Sequence, residues 1–187
     1  NIIKENLNKE LMEKYLGGSG YGAKILYDEL EANIDPLGEE NILYLGISPL
    51  TNRKVPGGGS LEICFKSPLT GTWGEARVGD EFGFKMRRAG FDFIILKGKL
   101  NKPSYLLIND GDIEIKDGKQ LKGLSASEKA NKIKEEIGQD YSVLTIGQGG
   151  ENEVLYSSIM INHRAAGRGG AGAVMGSKNL LAIACKG

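Results

Sequence analysis

The chain is poor in cysteine, histidine and proline, and each shortage closes off a class of protein. Two cysteines, Cys64 and Cys185, occur in 187 residues, too few for a disulfide scaffold. Each stands alone inside an apolar segment, outside any C-x-x-C that would nest zinc or an iron–sulfur cluster. Such cysteines behave as small buried hydrophobes, and a reducing cytoplasm is the expected setting. The single histidine, His163, has no carboxylate or cysteine beside it and reads as a loop residue before a base or ligand. With five prolines and no low-complexity tract, disorder does not explain the composition. Net charge is lacking too, since 24 basic residues balance 24 acidic ones. That balance removes the electrostatic case for a nucleic-acid or anionic-membrane partner. Apolar runs such as Phe91 to Leu96 fall far short of the roughly 20 residues a spanning helix needs. Asn1-Ile2-Ile3-Lys4-Glu5 is not a basic start followed by an apolar stretch, so no signal peptide is expected. The first residue is not Met and the last follows a strand-like Leu180 to Lys186. Both ends read as cut, and residues 1–187 as a single domain of a longer chain.

Glycine is abundant, at 28 of 187 residues, about twice the usual share of roughly 7%. In a well-patterned chain this density points to tight turns and to places where backbone approaches something closely. Helices are expected over Asn8 to Leu16 and, after Gly17-Gly18-Ser19-Gly20, around Ile25, Leu26 and Leu30. Asp35-Pro36-Leu37-Gly38 ends the second. Strands follow at Ile42 to Ile47, Ser60 to Phe65 and Thr72 to Arg77, then a helix over Asp80 to Ala89 and a strand from Phe91 to Lys97. Asp110-Gly111 joins Ser104–Asn109 to Asp112–Lys116 as a hairpin. Ser125 caps a charged helix to Ile137, with Glu128 completing a capping box. Strands at Tyr141 to Ile146 and Val154 to Ile161 lead through a glycine-rich loop to a helix over Gly170 to Lys178 and a last strand. The order is α+β rather than regular βαβ alternation.

Sliding the chain against itself by 89 residues aligns Gly83, Met86, Ile94, Lys97 and Gly98 with Gly172, Met175, Ile183, Lys186 and Gly187. Five identities in sixteen positions exceed the roughly one expected by chance. Either two helix–strand units match by accident, or a unit is duplicated. Duplication would create a pseudo-two-fold site suited to a ligand with two similar halves.

The segment His163-Arg164-Ala165-Ala166-Gly167-Arg168-Gly169-Gly170 combines two guanidinium groups with small residues and runs into a helix start. Free N–H groups there favour an anion, and the arginine fork suits phosphate oxygens. The alternative is a tight glycine turn with two surface arginines. No Lys-Ser or Lys-Thr makes it a P-loop, and no acidic residue roughly 20 positions on makes it a dinucleotide fingerprint.

This segment, continued by Gly172-Ala173-Val174-Met175-Gly176-Ser177-Lys178-Asn179-Leu180, resembles the stretch closing the amino-terminal domain of the aldehyde ferredoxin oxidoreductase family. So do Lys66-Ser67-Pro68-Leu69-Thr70-Gly71, Asp35-Pro36-Leu37, Phe82-Gly83 with Ala89-Gly90-Phe91-Asp92, and Gly147 with Gly150-Glu151-Asn152. These pieces occur in family order across nearly the whole chain. The resemblance implies two β-sheets related by a pseudo-two-fold, with short glycine-flanked helices, cradling a tungsten (or molybdenum) bis-pterin. By position, Gly79, Arg164, Ala165, Ala166 and Gly167 would contact the pterin, and the Ala165 carbonyl would face a magnesium ion bridging two phosphates. The implied activity is oxidation of aldehydes to carboxylic acids, or a related low-potential reduction. Electrons would pass through a [4Fe–4S] cluster, bound by a part beyond this chain, to ferredoxin. Two positions depart from the pattern. Ser60 stands where the family often has an arginine linking cofactor and cluster, and Arg77 where it has an asparagine near magnesium, so neither role is carried over.

Other functional residues are read modestly. Trp73 is expected to cover the sheet. Glu75 and Asp80 read as solvated turn carboxylates before acid–base groups, and Arg87, Arg88 and the lysines of Ser125 to Ile137 as solvated helix faces. A stand-alone pterin carrier without turnover and a phosphate- or nucleotide-binding α+β domain remain the competing readings. A cradle normally roofed by other domains would expose an apolar patch, which leaves homo-oligomers open.

Overall fold

Alternation along Trp73 to Gly79 shows how this sequence makes sheets. Gly74, Ala76 and Val78 point inward and are buried, while Trp73, Glu75, Arg77 and Gly79 face out. The computed structural model describes residues 1–53, 55 and 58–187; Gly57, one of three consecutive glycines, lies outside them. The first part of the chain contributes α1 (Lys9–Tyr15), α2 (Ser19–Glu29), β1 (Leu43–Ile47), β2 (Ser60–Lys66), β3 (Trp73–Gly79), α3 (Phe82–Arg88) and β4 (Phe93–Leu96). The second contributes β5 (Ser104–Asn109), β6 (Asp112–Asp117), α4 (Ala126–Ile137), β7 (Ser142–Ile146), α5 (Gln148–Glu151), β8 (Ile159–Ile161), β9 (Arg164–Ala166), α6 (Ala171–Ser177) and β10 (Leu180–Lys186).

Among the described residues the strands form two sheets, ordered β3-β2-β1-β4 and β6-β5-β10-β7-β8-β9. Read from its far end, the second begins β9-β8-β7-β10 and repeats the first strand for strand. Every pairing in the two sets is antiparallel. In each unit a short helix, α3 or α6, links the edge strand to the last one. The offset of 89 places Arg164–Ala166 on Glu75–Arg77, that is, β9 on β3. A duplicated unit therefore explains the sequence repeat, and the β5–β6 hairpin is an addition, with β5 parallel to β10. Asp110 and Gly111 both have positive φ in that hairpin's turn, as a two-residue turn of this twist requires.

The main core lies between the sheets, with Leu45, Ile63, Phe65 and Val78 on one side and Leu144, Ile159, Ile161 and Ile183 on the other. Met86 of α3 and Met175 of α6, aligned by the repeat, are both fully buried in it. A smaller cluster, built on Tyr21, Leu26, Tyr44 and Cys64, fixes α2 to the outer face of β1 and β2. This covering on two faces makes β1 buried at every position. Both cysteines are free and buried, and burial pushes the Cys185 thiol up to about 12.

The capping box of α4 is present: Glu128 N donates to Ser125 Oγ (3.3 Å) and Ser125 N to Glu128 Oε2 (2.8 Å). Two of the side chains expected on solvated helix faces are elsewhere. Lys129 is fully buried, and its ammonium donates to Leu124 O (2.7 Å) and Ile146 O (2.8 Å) and pairs with Glu151. Arg87 donates to Ser48 O (3.0 Å) and pairs with Asp92. The strand expected over Val154 to Ile161 shrinks to Ile159–Ile161. Glu153 adopts φ 54°, and Ser157 N donates to Val154 O in a turn. Helix α5 was not anticipated, because four residues including two glycines carry no periodicity. The Gly150 carbonyl of α5 packs on α6, where a Cβ at Gly176 would lie only 1.9 Å from it.

Candidate functional site at the β3–β9 edge

β3 and β9, the edge strands of the two units, touch each other. The expected binding residues meet there. Gly79 ends β3, and Asp80 follows it. The Asp80 carboxylate accepts from Asn162 Nδ2 at 2.9 Å through Oδ1, while its Oδ2 lies 4.0 Å from Arg164 Nε. One carboxylate thus joins the first unit's loop to the second unit's arginine. It is therefore not the freely solvated turn carboxylate expected from sequence.

Strand β9 was expected as part of a loop. It pairs on one side only, with β8 (Ile161 opposite Arg164, Ile159 opposite Ala166), so an edge strand's outward peptide groups lack a sheet partner there. Arg164, Ala165 and Gly167 are exposed and Ala166 is buried. Ser67, in the Ser-Pro-Leu-Thr-Gly turn after β2, donates its hydroxyl to Gly169 O at 2.7 Å, anchoring the following loop to the first unit.

Two kinds of glycine occur here. At Gly170 and Gly172 an added Cβ would lie 2.0 Å from Leu155 O and 2.6 Å from Ser158 O. Gly172 N already donates to Ser157 O at 3.0 Å, and α6 is buried throughout. These glycines let protein backbone meet protein backbone, so the helix start is not the open anion site the motif led one to expect. At Gly79, by contrast, an added Cβ meets nothing within 4 Å, and at Gly167 nothing nearer than 3.5 Å. The fold has no packing need for glycine at these two positions, and they leave open space where an external group can lie against the backbone.

The outer face of β3 carries more. Ser60 lies opposite Gly79 and Glu62 opposite Arg77. Arg77 Nε is 2.8 Å from Glu62 Oε1, while Glu62 Oε2 is buried without a partner. Burial pushes the Glu62 carboxyl above the usual range, with Arg77 pulling it back and Glu75 adding to the rise. Glu62 went unnoticed in the sequence; the one available signal was a carboxylate in the middle of Leu61-Glu62-Ile63-Cys64-Phe65. Trp73 shares the outer face and is half-exposed rather than covering the sheet. His163 and Arg168 are exposed loop residues.

Among the described residues no three His, Cys, Asp or Glu side chains come together as a metal nest, and no helix is long and apolar enough to cross a membrane. A groove lies elsewhere, between the N-terminal coil, β4 and the β5–β6 hairpin. One of the charged residues lining it, Lys178, is already committed, donating to Asn41 O (2.6 Å) and Gly98 O (3.0 Å). The β3–β9 edge, where charged groups of both units converge, is the stronger candidate.

Comparison with known proteins agrees with this geometry. The sequence profile of the family described as "Aldehyde ferredoxin oxidoreductase, N-terminal domain" matches residues 1–187. The tungsten-containing aldehyde ferredoxin oxidoreductase of Pyrococcus horikoshii is 44% identical over 188 residues, covering 100% of this chain and 31% of the relative. An aliphatic sulfonate oxidoreductase, WOR-like subunit, of Pyrococcus furiosus is 36% identical over 203 residues, covering 99% of this chain and 32% of its own. Among solved structures, the active site complex BamBC of benzoyl coenzyme A reductase with 1,5-dienoyl-CoA superimposes with a TM-score of 0.95. It is 37% identical and covers 97% of this chain and 28% of that one. The chain thus spans about a third of the length of the curated relatives it matches. Two units repeated strand for strand, an edge site shared between them and a profile match from end to end lead to one conclusion: the chain belongs to the aldehyde ferredoxin oxidoreductase family, as its amino-terminal domain.

Proposed function

We propose that this domain cradles a tungsten bis-pterin in an enzyme that oxidises aldehydes to carboxylic acids and passes the electrons through a [4Fe–4S] cluster to ferredoxin. The observation carrying this reading is the β3–β9 edge, where Asp80 joins Gly79 of one unit to Asn162 and Arg164 of the other. The open space at Gly79 and Gly167 suits a flat group lying on backbone. The names of two relatives 44% identical to the chain supply the metal and the reaction.

When bound, the metal and its pterins supply the redox chemistry; the chain's share is binding and orientation. Arg164 is the anion-binding side chain of β9, its guanidinium largely exposed. Ala165 and Ala166 offer small side chains beside it, and the Ala165 carbonyl would help hold a magnesium ion, which would supply positive charge to offset that of the phosphates. The choice of substrate belongs to parts of the protein outside this chain. The likeness to a benzoyl coenzyme A reductase complex supports a second reading, a related low-potential reduction. Assaying the whole protein for both aldehyde oxidation and two-electron reduction of an aromatic acyl-CoA ring to the dienoyl-CoA separates the two.

The test of the cradle is Arg164→Ala in the protein as its source makes it. Tungsten and pterin per chain should fall about tenfold or more, as expected for losing a charge-assisted contact. Unchanged occupancy would remove Arg164–Gly167 from the site.

A further inference from the structure

Glu62 is a carboxylate where an apolar side chain would serve packing better. It stands in the middle of β2, between Leu61 and Ile63, and is over nine-tenths buried. The backbone before α2 covers its stem, since a Cβ at Gly18 would lie 3.2 Å from Glu62 Cγ. Oε1 is 2.8 Å from Arg77 Nε, and Oε2 is buried with no partner. Burying such a group costs folding energy. One ion pair with an arginine whose side chain is 64% exposed contributes little in return. Stability therefore does not account for an acid at this position.

Its place in the sheet does. Cross-strand partners project from one face; Glu62 is paired with Arg77, and Ser60 with Gly79. Glu62 thus shares the outer face on which Gly79 borders open space. Diagonal neighbours in a sheet are roughly 7–8 Å apart, so a charge on a group lying against Gly79 falls on the order of 10 Å from the Glu62 carboxyl. In surroundings of effective dielectric about 20, one added negative charge at that range raises the pH at which a carboxyl binds its proton by about one unit. The other ionisable groups around Glu62 do not answer such a charge. Arg77 stays protonated, and Glu75, also on β3, is exposed and screened by water. Burial pushes Tyr44 on β1, Cys64 on β2 and Tyr21 on α2 upward, so they stay neutral. Lys24 and Asp28 of α2 pair with each other, and Asp80, past the end of β3, is engaged by Asn162. The Glu62 carboxyl, raised by burial above the usual range, is left as the group able to change charge.

We propose that Glu62 is a proton-holding residue coupled to electron transfer at the neighbouring site: ionised while the bound redox group is oxidised, it takes up one proton when an electron is placed there. This rests on the cofactor-cradle reading given above. The electron comes from the substrate, an aldehyde in that reading, or from an added reductant. The proton comes from solvent, which the carboxyl meets through the 11% of its side chain that is exposed. An O–H bond forms on Glu62, no bond of the redox group is made or broken, and the proton returns to solvent when the electron moves on. Protonation also takes the charge off an oxygen that has no partner. The reduction potential of the site is thereby tied to pH.

The test uses the whole protein as its source makes it, purified without oxygen, with tungsten and pterin per chain measured first. The reduction potential of the bound metal is then followed against pH for the wild type, Glu62→Gln and Glu75→Gln. In the wild type it should fall with rising pH across a window about one unit wide. Glu62→Gln should flatten that window and, lacking the negative charge, lie at a higher potential on its alkaline side. Glu75→Gln, which removes the exposed carboxylate of the same face, should keep the wild-type dependence. The infrared spectrum of the reduced minus the oxidised wild type should gain a protonated-carboxyl band that Glu62→Gln lacks. A wild-type potential independent of pH, or the same slope in Glu62→Gln, overturns the proposal and leaves the cradle standing. If Glu62→Gln does not hold its metal, Arg77→Gln decides. Without the cation beside it Glu62 binds its proton more readily, so the window should move to higher pH, and an unmoved window overturns the coupling. A wild type that carries neither metal nor pterin fails the cradle reading itself.

Discussion

A methyl group added at Gly79 meets no protein atom within 4 Å, whereas one added at Gly176 lies 1.9 Å from Gly150 O and 2.7 Å from Gly150 C. The same substitution, glycine to alanine, should therefore act on opposite quantities at the two sites. Gly79→Ala leaves the native contacts of the cofactor-free protein untouched and restricts the unfolded chain. It should stabilise that form by about 0.4–1 kcal/mol, a rise of roughly 1–4 °C for a domain of this size. The methyl group does occupy space that a ligand lying on the backbone would use. Overpacking costs about 1–3 kcal/mol, so cofactor affinity should fall by roughly 5- to 150-fold at that conversion. Gly176→Ala forces the α5 and α6 backbones apart, because a carbonyl cannot move aside as a side-chain tip can. Its cost should be about 2–4 kcal/mol of folding stability, at or above the usual overpacking range. Thermal unfolding of the cofactor-free protein, with tungsten per chain in the loaded protein, reads both effects. If Gly79→Ala lowers stability by about 1 kcal/mol or more, or leaves tungsten content unchanged, then the space beside β3 is not a ligand site.

Breaking the Lys129–Glu151 pair should be costly, because Lys129→Met leaves a buried carboxylate and the Leu124 and Ile146 carbonyls without their ammonium donor. A loss of about 3–5 kcal/mol is expected by chemical denaturation; less than about 1 would mean that water reaches the pair. Lys178 gives a pH signature, since burial pushes it down to about 8 from 10.5. The unfolded chain then binds the extra proton between those values, so stability from this group rises with pH across that window. Its carbonyl acceptors favour the charged form and hold the expected rise to about 1–3 kcal/mol. Cys185, its thiol pushed up to about 12, acts in the opposite sense above pH ~9. The measurement is therefore the difference between wild type and Lys178→Met, and a flat difference from pH 8 to 10 contradicts it.

What the sequence revealed depended on whether the information was local. The α4 start was legible because Ser125 and Glu128 satisfy each other within one turn. The β5–β6 turn was legible because Asp110-Gly111 tolerates positive φ. The duplication was visible at Gly83/Gly172 and Met86/Met175 because both copies press a helix of the same kind into one core. Val154 to Ser158 misled because its apolar residues pattern like a strand, yet Leu155 and Tyr156 are exposed and the chain turns there. The site residues matched by family resemblance lie together in space, but what grips them was out of reach of the sequence. Asp80 meets Asn162 across 82 positions, and the Glu62–Arg77 pairing exists only once the β2–β3 register is known. Lys129 and Arg87 read as solvated for the same reason, their partners lying on other elements.

The central claim is that two duplicated units hold one metal–pterin group at the edge they share. It is tested most directly by metal and pterin analysis of the protein as its source makes it, purified without oxygen, together with its intact mass. The account predicts about one tungsten or molybdenum per chain with its pterins, on a polypeptide much longer than these 187 residues. A native chain of about this length, free of both metals and of pterin, would contradict it and return the β3–β9 edge to a carrier or a simple phosphate site.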